Sequence, residues 1–304
     1  MTYKLCILTF NAEKHIKKLI SSFNKNQLGN VLIVDSSSTD NTVSIAEGFG
    51  VEIKIIDSAD FDHGGTRAMA AQMVDSDFLI FMTQDALPVN SDAIDKLIQP
   101  MIDDNKIGAV YGRQLPYEHT NVFGKHLRLF NYKENSYVRE LKDKAKFGFK
   151  TAFLSNSFSA YRLSALEEIG WFKSNLIFGE DAYAGAKLLL AGYKLAYVAD
   201  AQVYHSHSYS ALGEFKRYFD MGVFHKTENW LLKEFGKPEG EGKKYVISEF
   251  KFLINNKKFH LIPSFFIRNG MKFLGYKMGM NYRFLPKFLV KKISMSKTYW
   301  EKDS

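Results

Sequence analysis

The chain has 304 residues, room for one large or two ordinary domains at about 150 residues each, and its 46% hydrophobic and 15% aromatic content excludes a disordered protein. A single cysteine, Cys6, excludes a disulfide framework and a thiolate zinc site; it lies in the apolar run Leu5–Leu8, as a buried thiol would. The formal charge of +8 is uneven, because Gly213–Ser304 holds 19 Lys and Arg against 9 Asp and Glu, a balance of +10, whereas Met1–Leu212 comes to −2. A near-neutral front and a basic back imply two jobs, with the back facing something anionic. Leu5–Leu8 is too short for a signal-peptide core, and no stretch approaches the ~18 apolar residues of a membrane span, so cytosolic residence is expected.

In chain order, Lys4–Phe10 reads as a short buried strand, and Ile16, Leu19, Ile20 and Phe23 follow at helical spacing. Val31–Val34 is a second apolar run, ending at Asp35. Asp40 is placed to cap a helix that carries Val43 and Ala46 and ends at Gly48. Val51–Ile56 reads as a third strand, and Gly64-Gly65 as a turn before a helical run with Ala68, Ala71 and Met73. Phe78–Met82 is too short for a free-standing helix and suits a strand buried on both faces. Fourfold alternation of strand and helix predicts βαβ units and a mainly parallel sheet. Open sheets of this kind bind ligands at the C-terminal ends of their strands, where Asp85 falls just before Pro88; opening a turn is the plainer role for such an Asp.

Ser91 is placed to cap a helix over Ile94–Met101, with Pro100 bending or ending it. Ile107–Tyr111 reads as a strand, and Gly112–Lys150, which has no clear period, as a long insertion. Phe153–Tyr161 reads as extended, Ser164–Ile169 as helical, Glu180–Ala191 as a helix closed by Gly192, and Tyr193–Val198 and Gln202–Tyr204 as two strands. Asp35, Asp40, Asp85 and the pair Glu180-Asp181 thus stand at element ends, followed by His205 and His207. Such oxygen and imidazole donors suit a divalent cation with substrate phosphates. A plain helix cap at Asp181 and hydrogen-bonded structural histidines are the alternatives. The basic region interleaves cations with aromatics, as in Lys251-Phe252-Leu253 and Phe265-Phe266-Ile267-Arg268. That mixture suits an anionic membrane surface, a nucleic acid, or a helical cap packed on the front. A nucleic-acid role would leave the carboxylates without a task, and an acidic front repels phosphate unless loaded with metal.

Seven motifs stand in order: Thr9-Phe10-Asn11, Val34-Asp35-Ser36-Ser37-Ser38-Thr39-Asp40, Phe61-Asp62-His63-Gly64-Gly65-Thr66-Arg67, Thr83-Gln84-Asp85-Ala86, Phe178-Gly179-Glu180-Asp181, Gly192–Tyr197 and His205-Ser206-His207. In these, over roughly residues 3–210, the chain resembles the inverting family 2 glycosyltransferases of GT-A fold, and most of all the rhamnosyltransferases of bacterial surface polysaccharide synthesis. The resemblance implies an α/β GT-A catalytic domain over residues 1–212 and a basic, mostly helical region over 213–304. It also implies transfer of L-rhamnose from dTDP-β-L-rhamnose, with inversion, to a polyprenol-diphosphate-linked glycan at the inner face of the cell membrane, in O-antigen, capsule or cell-wall synthesis. No nucleic-acid partner is expected. The same fold using a UDP-hexose or UDP-N-acetylhexosamine is the alternative.

Carried over position by position, Thr9, Asn11 and Asp35 would line the nucleotide pocket, Asp35 accepting from the base and Asp40 supporting the ribose. Gln84, His63 and Arg67 would also contact the donor, the last two at a Gly-Gly turn suited to anions. Asp85 matches the last carboxylate of the Asp-x-Asp metal motif and His205 the late histidine, with His207 able to replace it. Thr83 stands where the first Asp would be, which leaves Mg2+ or Mn2+ with less carboxylate help. Asp181 would be the base, held ionised by its helix N-terminus, and Glu180 would position it or the acceptor.

Overall fold

Alternating apolar runs and helices build one side of a nine-stranded sheet in the computed structural model, which describes residues 1–236 and 239–302. β1 (Tyr3–Thr9) leads through α1 (Glu13–Ile20) and the single turn α2 (Lys25–Leu28) to β2 (Val31–Asp35). From there α3 (Thr42–Glu47) leads to β3 (Glu52–Ile55), and α4 (His63–Met73) returns the chain to β4 (Phe78–Thr83). These four strands run parallel in the order β3-β2-β1-β4. Their residues alternate between two cores: Leu5, Ile7, Ile33, Phe78 and Ile80 face one, and Cys6, Leu32, Val34, Leu79 and Phe81 the other. Burial on both faces explains the unbroken apolar runs.

The remaining elements of the sheet region are β5 (Leu87–Pro88), α5 (Ala93–Asp103), β6 (Ile107–Leu115), α6 (Val122–Asn131), β7 (Tyr137–Arg139), α7 (Lys144–Phe147), β8 (Phe158–Arg162), α8 (Leu163–Glu168), α9 (Glu180–Leu190) and β9 (Lys194–Tyr204). The strand order continues β8-β6-β9-β5, with β7 also on β9. β8 runs antiparallel between β4 and β6, β6 pairs parallel with β9, and β5 and β7 are antiparallel to β9. The expected parallel character therefore holds for the first half of the sheet, and the second half is mixed.

Several expectations need correction. Pro100 does not end its helix, which continues to Asp103 with Leu97, Ile98 and Met101 buried. Residues 112–150 are no plain insertion: β6 extends to Leu115, and α6, β7 and α7 follow. The period of α6 was hidden because two of its buried positions are Gly124 and His126 instead of aliphatic residues. The two expected strands at 193–204 are one strand whose register against β6 shifts between Val198 and Gln202. Gly64 and Gly65 lie inside the first turn of α4 and not in a turn before it. A side chain at Gly64 would collide with the Lys173 carbonyl.

After β9 the described elements are all helical: α10 (Ala211–Thr227), α11 (Asn229–Phe235), α12 (Glu239–Asn255), α13 (Ile262–Met280), α14 (Lys287–Ile293) and α15 (Lys297–Lys302), with short 3-10 turns between. Phe219, Val223, Phe224, Leu231 and Phe235 join the core of Phe81, Tyr111 and Tyr161. The left-handed Gly179 before α9 lies against the Phe224 ring, so α10 closes over the turn that carries Glu180. α13 meets α10 through Gly275 and Gly279, where a side chain would strike the Phe215 and Phe219 carbonyls. Its opposite face exposes Phe266, Ile267, Phe273 and Leu274.

Candidate active site

Strand pairing sets the positions at the sheet edge. Thr9 is the partner of Asp35 across β1 and β2, and Leu8 the partner of Thr83 across β1 and β4. Asp85 follows β4 directly. β5 then pairs antiparallel with the end of β9, Leu87 opposite Tyr204, which brings His205 and His207 to Asp85.

On the β1–β2 side the polar groups bond to one another. The Thr9 hydroxyl donates to Asp35 Oδ2 at 2.7 Å, and the Ser38 amide and hydroxyl donate to Asp35 Oδ1 and Oδ2, each at 2.7 Å. Asp35 has no exposed surface, so here it orders the Ser36–Thr39 loop instead of facing a base directly. Asn11, left-handed at φ +47°, receives the Thr39 amide on its side chain at 2.9 Å; Asn is among the residues that tolerate this region. Asp40 accepts from the Glu13 and Thr42 amides, joining the starts of α1 and α3. The Gln84 side-chain amide bonds both backbone groups of Phe10, at 2.8 and 3.2 Å, and so fastens β4 to the loop after β1.

The second group is Asp85, His205 and His207, whose ligand atoms lie within 4.8 Å of one another. His205 Nε2 is 3.4 Å from Asp85 Oδ1 and His207 Nδ1 is 3.8 Å from Asp85 Oδ2. His205 Nδ1 lies 2.8 Å from Gln114 Oε1, and the Gln114 amide nitrogen donates to Ser155. Gln114 therefore accepts from Nδ1–H, which leaves the Nε2 lone pair turned toward the carboxylate. Two electron-rich atoms facing each other call for a cation between them. Burial lowers the pKa of both histidines, that of His207 to about 4, so both are neutral near pH 7, as metal binding requires. The donor set thus fits a divalent ion. His207 adds a ligand where Thr83 replaces a carboxylate, and the Thr83 hydroxyl is buried at the same edge beside Asp85.

The third group is the carboxylate pair opening α9. Glu180 Oε1 accepts from Arg67 at 2.9 Å and from the Asn156 amide at 3.1 Å. Asn156 is fixed in turn by Ser159 and Tyr161, which donate to its carbonyl at 3.0 and 2.7 Å. Arg67 is therefore committed to a buried ion pair instead of being an exposed anion contact, and it lies 5.5 Å from the Phe81 ring centroid. The helix end it was expected to serve is filled by Asp62, which accepts from the Gly65 amide. His63, the other expected anion contact there, is exposed against the edge of Phe61. Asp181 is half-buried, and its carboxylate accepts from the Ala182 amide at 2.7 Å and is reached by the Asn156 backbone amide as well. Burial first, and then the charge of Glu180, raise its pKa to about 7. For Glu180, Arg67 and its neighbours outweigh burial and hold the pKa below the usual range. The helix N-terminus thus does not dominate at Asp181, contrary to expectation. Two residues here, Gln114 and Asn156, carried no sequence signal; each matters through the side chain it orients.

A parallel half-sheet with a polar edge, a mixed second half, a carboxylate–histidine cluster and a carboxylate pair at the start of α9 define a glycosyltransferase of GT-A type. The family model for glycosyl transferase family 2 matches residues 5–170, and the chain belongs to that family. It is 43% identical to the O-antigen chain rhamnosyltransferase RfbN of Salmonella typhimurium, covering 99% of this chain and 96% of that protein. It is 41% identical to the O-antigen chain rhamnosyltransferase WbaN of Salmonella anatum, over 98% and 96%. Among solved structures, the fold is similar to the mannosyltransferase PcManGT of Pyrobaculum calidifontis in complex with GDP-Man and Mn2+, with a TM-score of 0.63, 13% identity, and coverage of 91% of this chain and 86% of that one. It is also similar to TarS of S. aureus, with a TM-score of 0.54, 17% identity, and coverage of 93% and 91%.

Proposed function

We propose that the protein transfers L-rhamnose from dTDP-β-L-rhamnose, with inversion, to a lipid-linked glycan in O-antigen synthesis. The observation that carries this reading is full-length identity above 40% to two O-antigen chain rhamnosyltransferases. In this reading the acceptor hydroxyl attacks the anomeric carbon, the bond to the diphosphate breaks, and the hydroxyl proton passes to Asp181. A base whose pKa lies near 7 is half ionised at neutral pH and strong enough to take that proton, an effect typically worth 10²–10⁴-fold. Glu180, clamped by Arg67 and Asn156, stays charged and by its charge keeps the pKa of Asp181 raised. Thr9, Asn11, Asp35, Asp40 and Gln84 keep the nucleotide side preformed. Asp85, His205 and His207 would hold one Mg2+ or Mn2+ ion, which would supply charge neutralisation for the departing diphosphate.

The same reading places the protein on the anionic inner face of the cell membrane without spanning it. No helix among the described residues is long and apolar enough to cross a bilayer. The support is α13, apolar on both sides, with Phe266 and Phe273 each 65% exposed, together with Phe284 and Phe288 exposed beside Lys287, Lys291 and Lys292.

The test is protection against thermal unfolding by a panel of sugar nucleotides, with and without Mg2+ or Mn2+, followed by a transfer assay. A ligand present at ~100 times its Kd stabilises by about 2.7 kcal/mol. Protection and transfer with dTDP-rhamnose are expected. Protection by a UDP-hexose or UDP-N-acetylhexosamine alone would overturn the donor assignment.

A further inference from the structure

Helix α6 lies directly on the segment that carries the two histidines. A side chain at Gly124 would meet the His207 carbonyl at 2.5 Å, the Asn121 amide donates to the Ser208 hydroxyl at 3.0 Å, and Thr120 and Ser206 share a hydrogen bond. Arg128 is four residues beyond Gly124 and so projects from the same face, one turn on. Its guanidinium is 5.9 Å from the Tyr132 ring centroid, and its Nε is buried without a hydrogen-bond partner.

A second arginine approaches from α10. Arg217 lies 5.0 Å from the Phe178 ring centroid and 5.8 Å from that of Tyr209, and Tyr209 itself stands 5.4 Å from His207. The fields of both guanidiniums reach His205 and His207, and that of Arg217 reaches Arg128. Among the described residues, arginine ion pairs join Arg67 to Glu180, Arg113 to Glu134 and Arg268 to Glu214. Arg128 and Arg217 have none. Like charges that face one segment of chain repel unless an anion joins them, and Asp85, whose charge does reach Arg128, is already turned to the histidines.

We propose that Arg128 and Arg217 form a clamp for a phosphate or diphosphate group beside the Asp85–His205–His207 cluster. Guanidinium forks match phosphate oxygens bidentately, and rings behind them fix their planes. In the strand order, β1 and β2 with the nucleotide edge lie on one side of β4, and β9 with its histidines on the other. The clamp is therefore on the far side of Asp85 from the nucleoside wall. Two diphosphates are candidates for that position, the one leaving with the donor and the one carried by a lipid-linked acceptor. The second rests on the function proposed above; phosphate affinity itself does not.

The experiment is an equilibrium titration of the full chain with inorganic pyrophosphate in chelator, for wild type, Arg128→Gln, Arg217→Gln and the Arg→Lys pair. Each Gln variant is expected to weaken binding by about 10- to 100-fold, and each Lys variant less, because charge persists and the fork is lost. Thermal unfolding checks that each variant is folded; if Arg128→Gln is not, Arg217→Gln, altered at a half-exposed site, decides. Titration with dTDP in Mn2+, and KM for acceptors with and without a diphosphate, then separate the sources. Loss of dTDP affinity assigns the clamp to the donor, and a raised KM only for the diphosphate-bearing acceptor assigns it to the acceptor. No pyrophosphate binding by wild type, or equal binding by folded Gln variants, overturns the clamp whatever sugar is transferred.

Discussion

Around β1 and β2, polar side chains are bonded to one another or to the backbone before any substrate arrives: Thr9 and Ser38 to Asp35, Gln84 to the Phe10 backbone, Asp40 to the amides of two helix starts. Across α10–α15 much is left open. Phe266, Ile267, Phe273 and Phe288 stand in solvent, and the chain from Gly213 onward has an excess of ten positive charges. The difference teaches where substrates of different kinds fit. A small polar donor gains from a preformed wall, since no binding energy goes into ordering side chains. A large amphiphilic acceptor needs an apolar, basic surface wide enough to hold it at a membrane.

The comparison breaks most sharply at Asp85. Asp85→Asn should lower turnover by roughly 100-fold or more and weaken nucleotide binding only when Mn2+ is present, read by transfer assay and calorimetry with and without chelator. Full activity of this variant in chelator would remove the cation from the account. The preformed side is sharpened by Arg67→Met, which leaves Glu180 charged and unpaired where the pair is only 6% and 12% exposed. A loss of about 3–5 kcal/mol in urea unfolding is expected, and a loss near zero would mean that water reaches Glu180. Gln114→Ala frees the His205 ring, so Mn2+ affinity should fall about 10- to 100-fold with the fold intact. On the open side, Phe266→Ser or Phe273→Ser should weaken binding to phosphatidylserine vesicles by about tenfold each and leave the unfolding free energy within about 0.5 kcal/mol. Added salt should weaken that binding further, and vesicle affinity indifferent to both changes would leave the exposed aromatics without their assigned surface.

How far the sequence could be read follows from where each residue takes its meaning. Buried strands such as Phe78–Thr83 announce themselves because both faces are covered, and the places of Asp85 just after that strand and of Glu180 and Asp181 at the start of a helix follow from the same patterning. Arg67 was misplaced because its partner Glu180 lies 113 residues away, a contact that no local spacing encodes. Gln114 and Asn156 were silent for the same reason: a second residue that orients a first has no pattern of its own. The pKa of Asp181 was misjudged because the helix N-terminus is a local feature, whereas burial and the charge of Glu180 arise from the folded site.

Asp181 as the base is the central claim, and the pH dependence of kcat/KM tests it most directly. A base must be ionised, so with its pKa raised to about 7 the rate should climb as pH rises toward 7 and level above it. Asp181→Asn should lose that limb and roughly 10² or more in rate, with donor affinity within a few-fold of wild type. Undiminished turnover in Asp181→Asn, with the rise near pH 7 unchanged, would contradict the account and move the base elsewhere.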